Sequence, residues 1–210
     1  MPDTQKTVCL AFTGASGMPY GVRLLECLLE AGCHVQLIYS QVAQVVARQE
    51  MDLELPARAR EAAEHFRKVY AAALEKGGGT LEAYGREEWF APVASGSNPP
   101  DAMVVCPCTM GTLAAIAQGL ADNLITRAAD VAMKERRTLI LVPRETPFSA
   151  IHLENMLRLA HAGAVILPPN PGFYHRPQSV GEMVDFVVAR ILDHLRVPHA
   201  LIQRWGAVAE

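Results

Sequence analysis

Short apolar runs, each followed by a turn rich in small or hydroxyl residues and then by an amphipathic stretch, recur along most of the chain. This alternation restricts the fold more than any other feature. Residues 8–13, 35–39, 102–106, 138–142 and 164–167 read as buried strands. Helices are expected at about 19–31, 42–50, 112–118, 123–134, 151–162 and 180–195, the first with Leu24, Leu25, Leu28 and Leu29 on one face. After Pro56, residues 57–76 are charged and alanine-rich, which reads as a solvated helix closed by Gly77, Gly78 and Gly79. Pro92, Gly96, Pro99 and Pro100 make 88–101 a loop. Strand alternating with helix predicts an α/β chain: a doubly wound parallel sheet with helices on both faces, three layers in all.

A length of 210 residues suits a single domain over 1–210, with an extension from about residue 197 that carries Trp205. With 19 Lys+Arg against 22 Asp+Glu, the net charge of -3 is too balanced to attract nucleic acid or an anionic membrane. A bound anion would therefore be held by a few placed residues. No run reaches the roughly 18 apolar residues of a membrane span, and the first residues lack a secretory leader pattern, so a cytoplasmic protein is expected. The five cysteines lie within apolar segments and read as core residues. Cys106-Pro107-Cys108 lacks the second ligand pair of a zinc site, so no metal is expected. Half of the residues are hydrophobic, an excess that burial between subunits would accommodate.

In such folds ligands bind at the carboxyl ends of the strands. After the first strand comes Thr13-Gly14-Ala15-Ser16-Gly17, immediately before a helix. Small residues there allow backbone N–H groups and a hydroxyl to approach a phosphate at the positive helix end, although a tight turn with Ser16 as N-cap reads equally well. Ser40 follows the second strand, and Cys106 to Thr112 forms another hydroxyl-and-glycine turn. Pro143-Arg144-Glu145 ends the fourth run. On the last helix Arg190 sits at the margin of the Met183, Val187, Ile191 and Leu195 stripe, which calls for an acidic partner, an anionic ligand or a side chain reaching to water. Trp89 and Tyr174 fall on irregular segments, either at a site or plugging the core edge.

Together these motifs resemble the UbiX family of flavin prenyltransferases over about residues 8–205. The resemblance rests on Thr13-Gly-Ala-Ser-Gly17, Pro19-Tyr-Gly21, Ala94-Ser-Gly-Ser97, Arg127-Ala-Ala-Asp130, Lys134-Glu-Arg-Arg137, Leu141-Val-Pro-Arg-Glu145, Ile151-His-Leu-Glu-Asn-Met156, Pro171-Gly-Phe-Tyr174 and Asp185-Phe-Val-Val-Ala-Arg190. It implies a flavodoxin-like, Rossmann-like fold. It also implies a metal-independent enzyme that joins the dimethylallyl group of dimethylallyl phosphate to N5 and C6 of reduced FMN, and the prenylated FMN would serve a UbiD-type decarboxylase. A homododecamer with active sites between subunits is implied too, the 197–210 extension packing on a neighbour.

By the same resemblance FMN would be held by Gly14, Ala15, Ser16, Ser40, Thr109, Met110, Gly111, Thr112 and Arg127. Lys134, Arg144, Tyr174 and Arg190 would grip the prenyl phosphate, some from a neighbouring chain. Glu145 would supply a proton to the leaving phosphate, Glu50 and Ser16 would handle the flavin protons, and Trp89 and Trp205 would face the allylic cation. Met110 departs from the family pattern, standing where a small hydroxyl residue is usual. Two rivals share the shell. A flavin-dependent cysteine decarboxylase would carry a His in the loop 88–101 and a Pro-Ala-Ser-Ala-Asn-Thr turn, and both are missing; a flavin carrier could dispense with Lys134, Glu145, Tyr174 and Arg190, and all four are present.

Overall fold

The computed structural model describes residues 5–203, and Trp205 lies outside them. Strands β1 (Thr7–Phe12), β2 (His34–Tyr39), β3 (Thr80–Tyr84), β4 (Ala102–Cys108), β5 (Thr138–Pro143) and β6 (Val165–Ile166) form one parallel sheet in the order β3-β2-β1-β4-β5-β6. Five of them, β2-β1-β4-β5-β6, follow the flavodoxin-like order, and β3 adds an edge. The winding direction reverses between β1 and β4, so a crevice at the carboxyl edge falls between those two strands.

Side chains alternate across the sheet and both faces are covered, which is why its strands are apolar throughout. Val8, Leu10 and Phe12 of β1 point into a core closed by α1 (Met18–Glu30), α2 (Gln41–Met51), α3 (Ala59–Val69), α4 (Ala71–Gly77) and α8 (Val180–Leu195). Cys9 and Ala11 point into a second core under α5 (Met110–Ala117), α6 (Leu124–Lys134) and α7 (Ala150–His161). Gly21 lets α1 lie directly on the sheet, since a Cβ there would run into the Cys106 carbonyl and come within 2.8 Å of the Phe12 ring.

The structure corrects several boundaries. Strand β3 has no counterpart in the sequence reading, because its five residues pair along only one edge and alternate weakly between buried and exposed. The expected solvated helix over 57–76 is two helices broken at Tyr70. Its charged appearance concealed an anchor: Phe66 is fully buried, with the Tyr70 ring stacked at 6.1 Å. Strand β4 runs to Cys108 rather than ending at Cys106, with a register shift against β5 between Val105 and Cys108, where Pro107 has no N–H to donate. Consequently α5 starts at Met110, two residues before the expected start, with Thr109 as N-cap.

All five cysteines are free and buried. Burial pushes the thiols up, to about 12 at Cys9 and Cys108 and about 11 at Cys27. At pH 8 the thiolate, which is the reactive form, is therefore scarce at these positions. Titration of the native protein with a thiol reagent such as DTNB is expected to find no rapidly reacting group, and all five should appear after unfolding. A fast phase in the native protein would contradict this.

Candidate functional site

The site is built where β1 and β4 end. Thr13, almost fully buried, joins them: its Oγ1 donates to the Pro107 carbonyl at 2.8 Å and accepts the Thr109 N–H at 2.8 Å, and its own N–H reaches Pro107 O at 3.2 Å. This hydroxyl holds the two glycine-containing turns in fixed relation. Thr13→Val keeps the shape but takes the hydroxyl acceptor from the Thr109 N–H, while Pro107 O keeps the Thr13 N–H, so the unfolding free energy is expected to fall by about 1–3 kcal/mol in a urea titration. An unchanged midpoint would remove the staple.

The turn after β1 passes beneath α2, close enough that a Cβ on Gly14 would overlap Val42. Glycine is required there by the approach of the Val42 side chain, whose Cβ is fixed to α2. Gly17 holds φ 116 and starts α1 without a side-chain cap of its own, so Ser16 is not the N-cap. The cap comes from Glu50, at the far end of α2. Its carboxylate accepts the Gly17 N–H at 3.0 Å and the Met18 N–H at 2.8 Å, and its negative charge suits the positive end of α1. Those two N–H groups are thus engaged by a carboxylate. An anion at this loop has Ser16, which is exposed, and the N-terminus of α5 across the crevice.

Thr109 caps α5, accepting the Thr112 N–H at 3.1 Å and donating its hydroxyl to Thr112 Oγ1 at 2.9 Å. Gly111 is exposed beside it, whereas Met110 is buried in the core with Cys108 and Leu113. The departure at Met110 is therefore accommodated by the core. Ser40 Oγ caps α2 through the Ala43 N–H at 3.1 Å. From the end of β5, Arg144 Nε donates to the Ser16 carbonyl at 3.2 Å. Ser16, Glu50 and Arg144 are brought together in this way, although they are far apart in the chain.

The other expected residues lie elsewhere. Glu145 lines a cavity of about 340 Å³ with Pro147, Phe148 and Pro169, which Arg144 borders from the crevice side of the chain, and Glu145 accepts the Thr146 N–H. Arg127 and Lys134, two turns apart on α6, are joined to the 94–97 loop: Arg127 Nε donates to Ala94 O at 3.0 Å, and Nη1 pairs with Asp130 at 2.8 Å. Lys134 pairs with Glu135, and the ends of both side chains lie against Gly96. Tyr174 and Arg190 share a third neighbourhood, where Arg190 has an acidic partner, one of the alternatives its position left open, Asp193 at 2.7 Å. A single chain does not bring the four cations together. Trp89 is exposed and the adjacent Phe90 fully so.

Sequence reasoning missed Thr13 as a staple and Glu50 as the cap of α1. A further cavity of about 600 Å³, between Tyr39, Gln44, Tyr84 and Glu88, involves none of the expected residues. Among the described residues no group of three or more His, Cys, Asp or Glu side chains is placed to hold a metal ion, and no helix is long and apolar enough to cross a membrane.

Comparison with known proteins places this geometry in context. The model of the family described as Flavoprotein matches residues 1–192. A flavin prenyltransferase UbiX of Pseudomonas aeruginosa is 55% identical over 199 residues, covering 95% of this chain and 93% of its own. The crystal structure of AnUbiX (PadA1) in complex with FMN and dimethylallyl pyrophosphate superposes with a TM-score of 0.83 at 36% identity, covering 98% of this chain and 100% of that one. A dodecameric FMN-dependent UbiX-like decarboxylase from Escherichia coli O157:H7 gives 0.82 at 39% identity, over 96% and 100%.

Proposed function

Since the chain belongs to the Flavoprotein family, and within it to the UbiX flavin prenyltransferases, we propose that it transfers the dimethylallyl group of dimethylallyl phosphate to N5 and C6 of reduced FMN, making prenylated FMN for a UbiD-type decarboxylase. The observation that carries this reading is the meeting of Ser16, Glu50 and Arg144 at the crevice between β1 and β4. It combines a hydroxyl, a carboxylate and a fixed cation beside a loop shaped by Gly14 and Gly17, which fits a phosphate-bearing flavin with a group to move its protons.

FMN supplies the nucleophilic ring positions when bound; the residues of the chain bind, orient and move protons. Ser16 and the Thr109–Thr112 turn hold the phosphate or ring, with Gly14, Ala15, Ser40, Gly111 and Arg127 completing the cradle. Arg144, Lys134 and Arg190 neutralise the prenyl phosphate in place and Tyr174 donates a hydrogen bond to it, so that the phosphate leaves with its charge already compensated. The role in neutralisation falls to these side chains, in a metal-independent reaction. Glu145, next to Arg144, donates a proton to the departing phosphate, and Glu50 with Ser16 takes the proton released as the new ring closes. Trp89 and Trp205 face the allylic cation.

Three separated cation groups in one chain support a site assembled from several copies. The exposed Phe90, and Ile151, Leu153 and Leu157 on α7, offer apolar surface for such contacts. We take the assembly to be a homododecamer in the cytoplasm.

The test is anaerobic incubation of the protein with FMN, a reductant and dimethylallyl phosphate, with the pyrophosphate in a parallel arm, followed by mass and absorption spectra of the released flavin. A mass gain of one dimethylallyl unit is expected from the monophosphate. FMN that binds but keeps its mass would overturn the reading in favour of a flavin carrier. A monomer in light scattering would sink the shared site.

A further inference from the structure

Helix α8 ends in a tight reversal. Arg196 adopts φ 54, its N–H bonds to the Asp193 carbonyl at 3.0 Å, and the Val197 N–H reaches Leu192 O at 3.0 Å. The chain therefore doubles back along the helix it has just left, and His199 returns over Asp193. A cavity of about 430 Å³ opens at this point, with Tyr174, Phe186, Arg190 and Asp193 on one side and His199 and Gln203 of the returning chain on the other.

Asp193 uses both carboxylate oxygens. Oδ2 accepts from Arg190 Nη1 at 2.7 Å, and Oδ1 lies 3.2 Å from His199 Nε2. The His199 side chain is only 10% exposed, which separates this contact from an ordinary surface pair. Its other nitrogen, Nδ1, accepts the Leu201 N–H at 3.4 Å, so the ring carries its proton at Nε2 and donates to Asp193. The carboxylate is thus held from one side by the tail while it holds the guanidinium on the other.

We infer that Asp193 is a positioning residue for Arg190, locked by His199, and that the pair presents the guanidinium in one orientation to the prenyl phosphate. This rests on the proposed role of Arg190 in gripping that phosphate. The guanidinium has five N–H donors, and engaging Nη1 on Asp193 leaves others for an anion while removing much of the freedom of a long side chain. His199 makes the arrangement depend on the tail being folded back. The returning chain at His199 and the orientation of Arg190 are thereby set by one carboxylate.

Steady-state prenylation by the FMN-loaded protein tests this. D193N is expected to raise KM for dimethylallyl phosphate about tenfold, with kcat and the FMN Kd within about threefold of wild type. H199A should raise KM about threefold and H199Q, whose amide can donate to Asp193, should recover most of that. In an R190A background D193N should add less than about twofold, because its effect passes through Arg190. An unchanged KM in D193N, or the full effect persisting in the R190A background, would overturn the inference while leaving the proposed function standing. Wild-type KM in R190A itself would instead remove the phosphate role of Arg190, and the inference with it. If D193N fails to bind FMN, the H199A and H199Q pair decides: an unaltered KM in H199A, or no recovery in H199Q, overturns the lock.

Discussion

Glu50→Gln is expected to slow formation of prenylated FMN by about 100- to 10,000-fold, the range for loss of a positioned general base, while FMN affinity stays within about threefold. The two effects separate because Glu50 has two duties. As the cap of α1 it needs acceptor oxygen, and its shorter bonds, 2.8 Å from Met18 and 3.0 Å from Gly17, end on Oε2, while Oε1 takes only a second, longer contact from the Gly17 N–H at 3.2 Å. The amide oxygen of Gln can take that place, so the helix start and the loop above it persist. As a proton acceptor it needs the carboxylate, which the amide cannot replace. Single-turnover flavin spectra with FMN fluorescence titration make the measurement. Wild-type rates in the variant would leave Glu50 a capping residue only, and parallel loss of FMN binding would show that capping dominates.

Arg190→Ala is expected to reduce kcat/KM for dimethylallyl phosphate by about 30- to 1,000-fold, the equivalent of about 2–4 kcal/mol for charge-assisted hydrogen bonds to a phosphate, and to leave FMN affinity nearly unchanged. The selectivity follows from position. Arg190 lies at the α8 cavity with Tyr174, whereas the turns expected to hold the flavin phosphate are at the ends of β1 and β4. The fold should tolerate the change, since Arg190 is exposed and its ion pair is an i,i+3 contact on the helix surface. Equal losses for donor and flavin would assign Arg190 a packing role, and an unaffected kcat/KM would exclude it from the phosphate site.

The three-layer architecture was legible in the chain because burial leaves a periodic trace: apolar runs for strands covered on both faces and stripes for helices covered on one. The turns at Thr13–Gly17 and Thr109–Thr112 were legible for local reasons, since the close approach of Val42 admits no side chain at Gly14 and the start of α5 favours the Thr109 hydroxyl. Strand β3 escaped because an edge strand of five residues carries too little alternation to distinguish it from a loop. The break at Tyr70 escaped because Phe66 is one buried residue among charges.

Tertiary structure alone decided which of these local pieces meet. Thr13 finds its partners at residues 107 and 109, Glu50 caps a helix that begins more than thirty residues earlier, and Arg144 reaches a carbonyl 128 positions away. Periodicity specifies which face of an element is buried, but not the element that covers it, and a hydrogen bond between distant residues leaves no mark on either neighbourhood. The same reasoning applies to Arg190. Its place at the margin of an apolar stripe left open an acidic partner, an anionic ligand or water, and only the reversal at Arg196 brought His199 back to share the carboxylate that meets it.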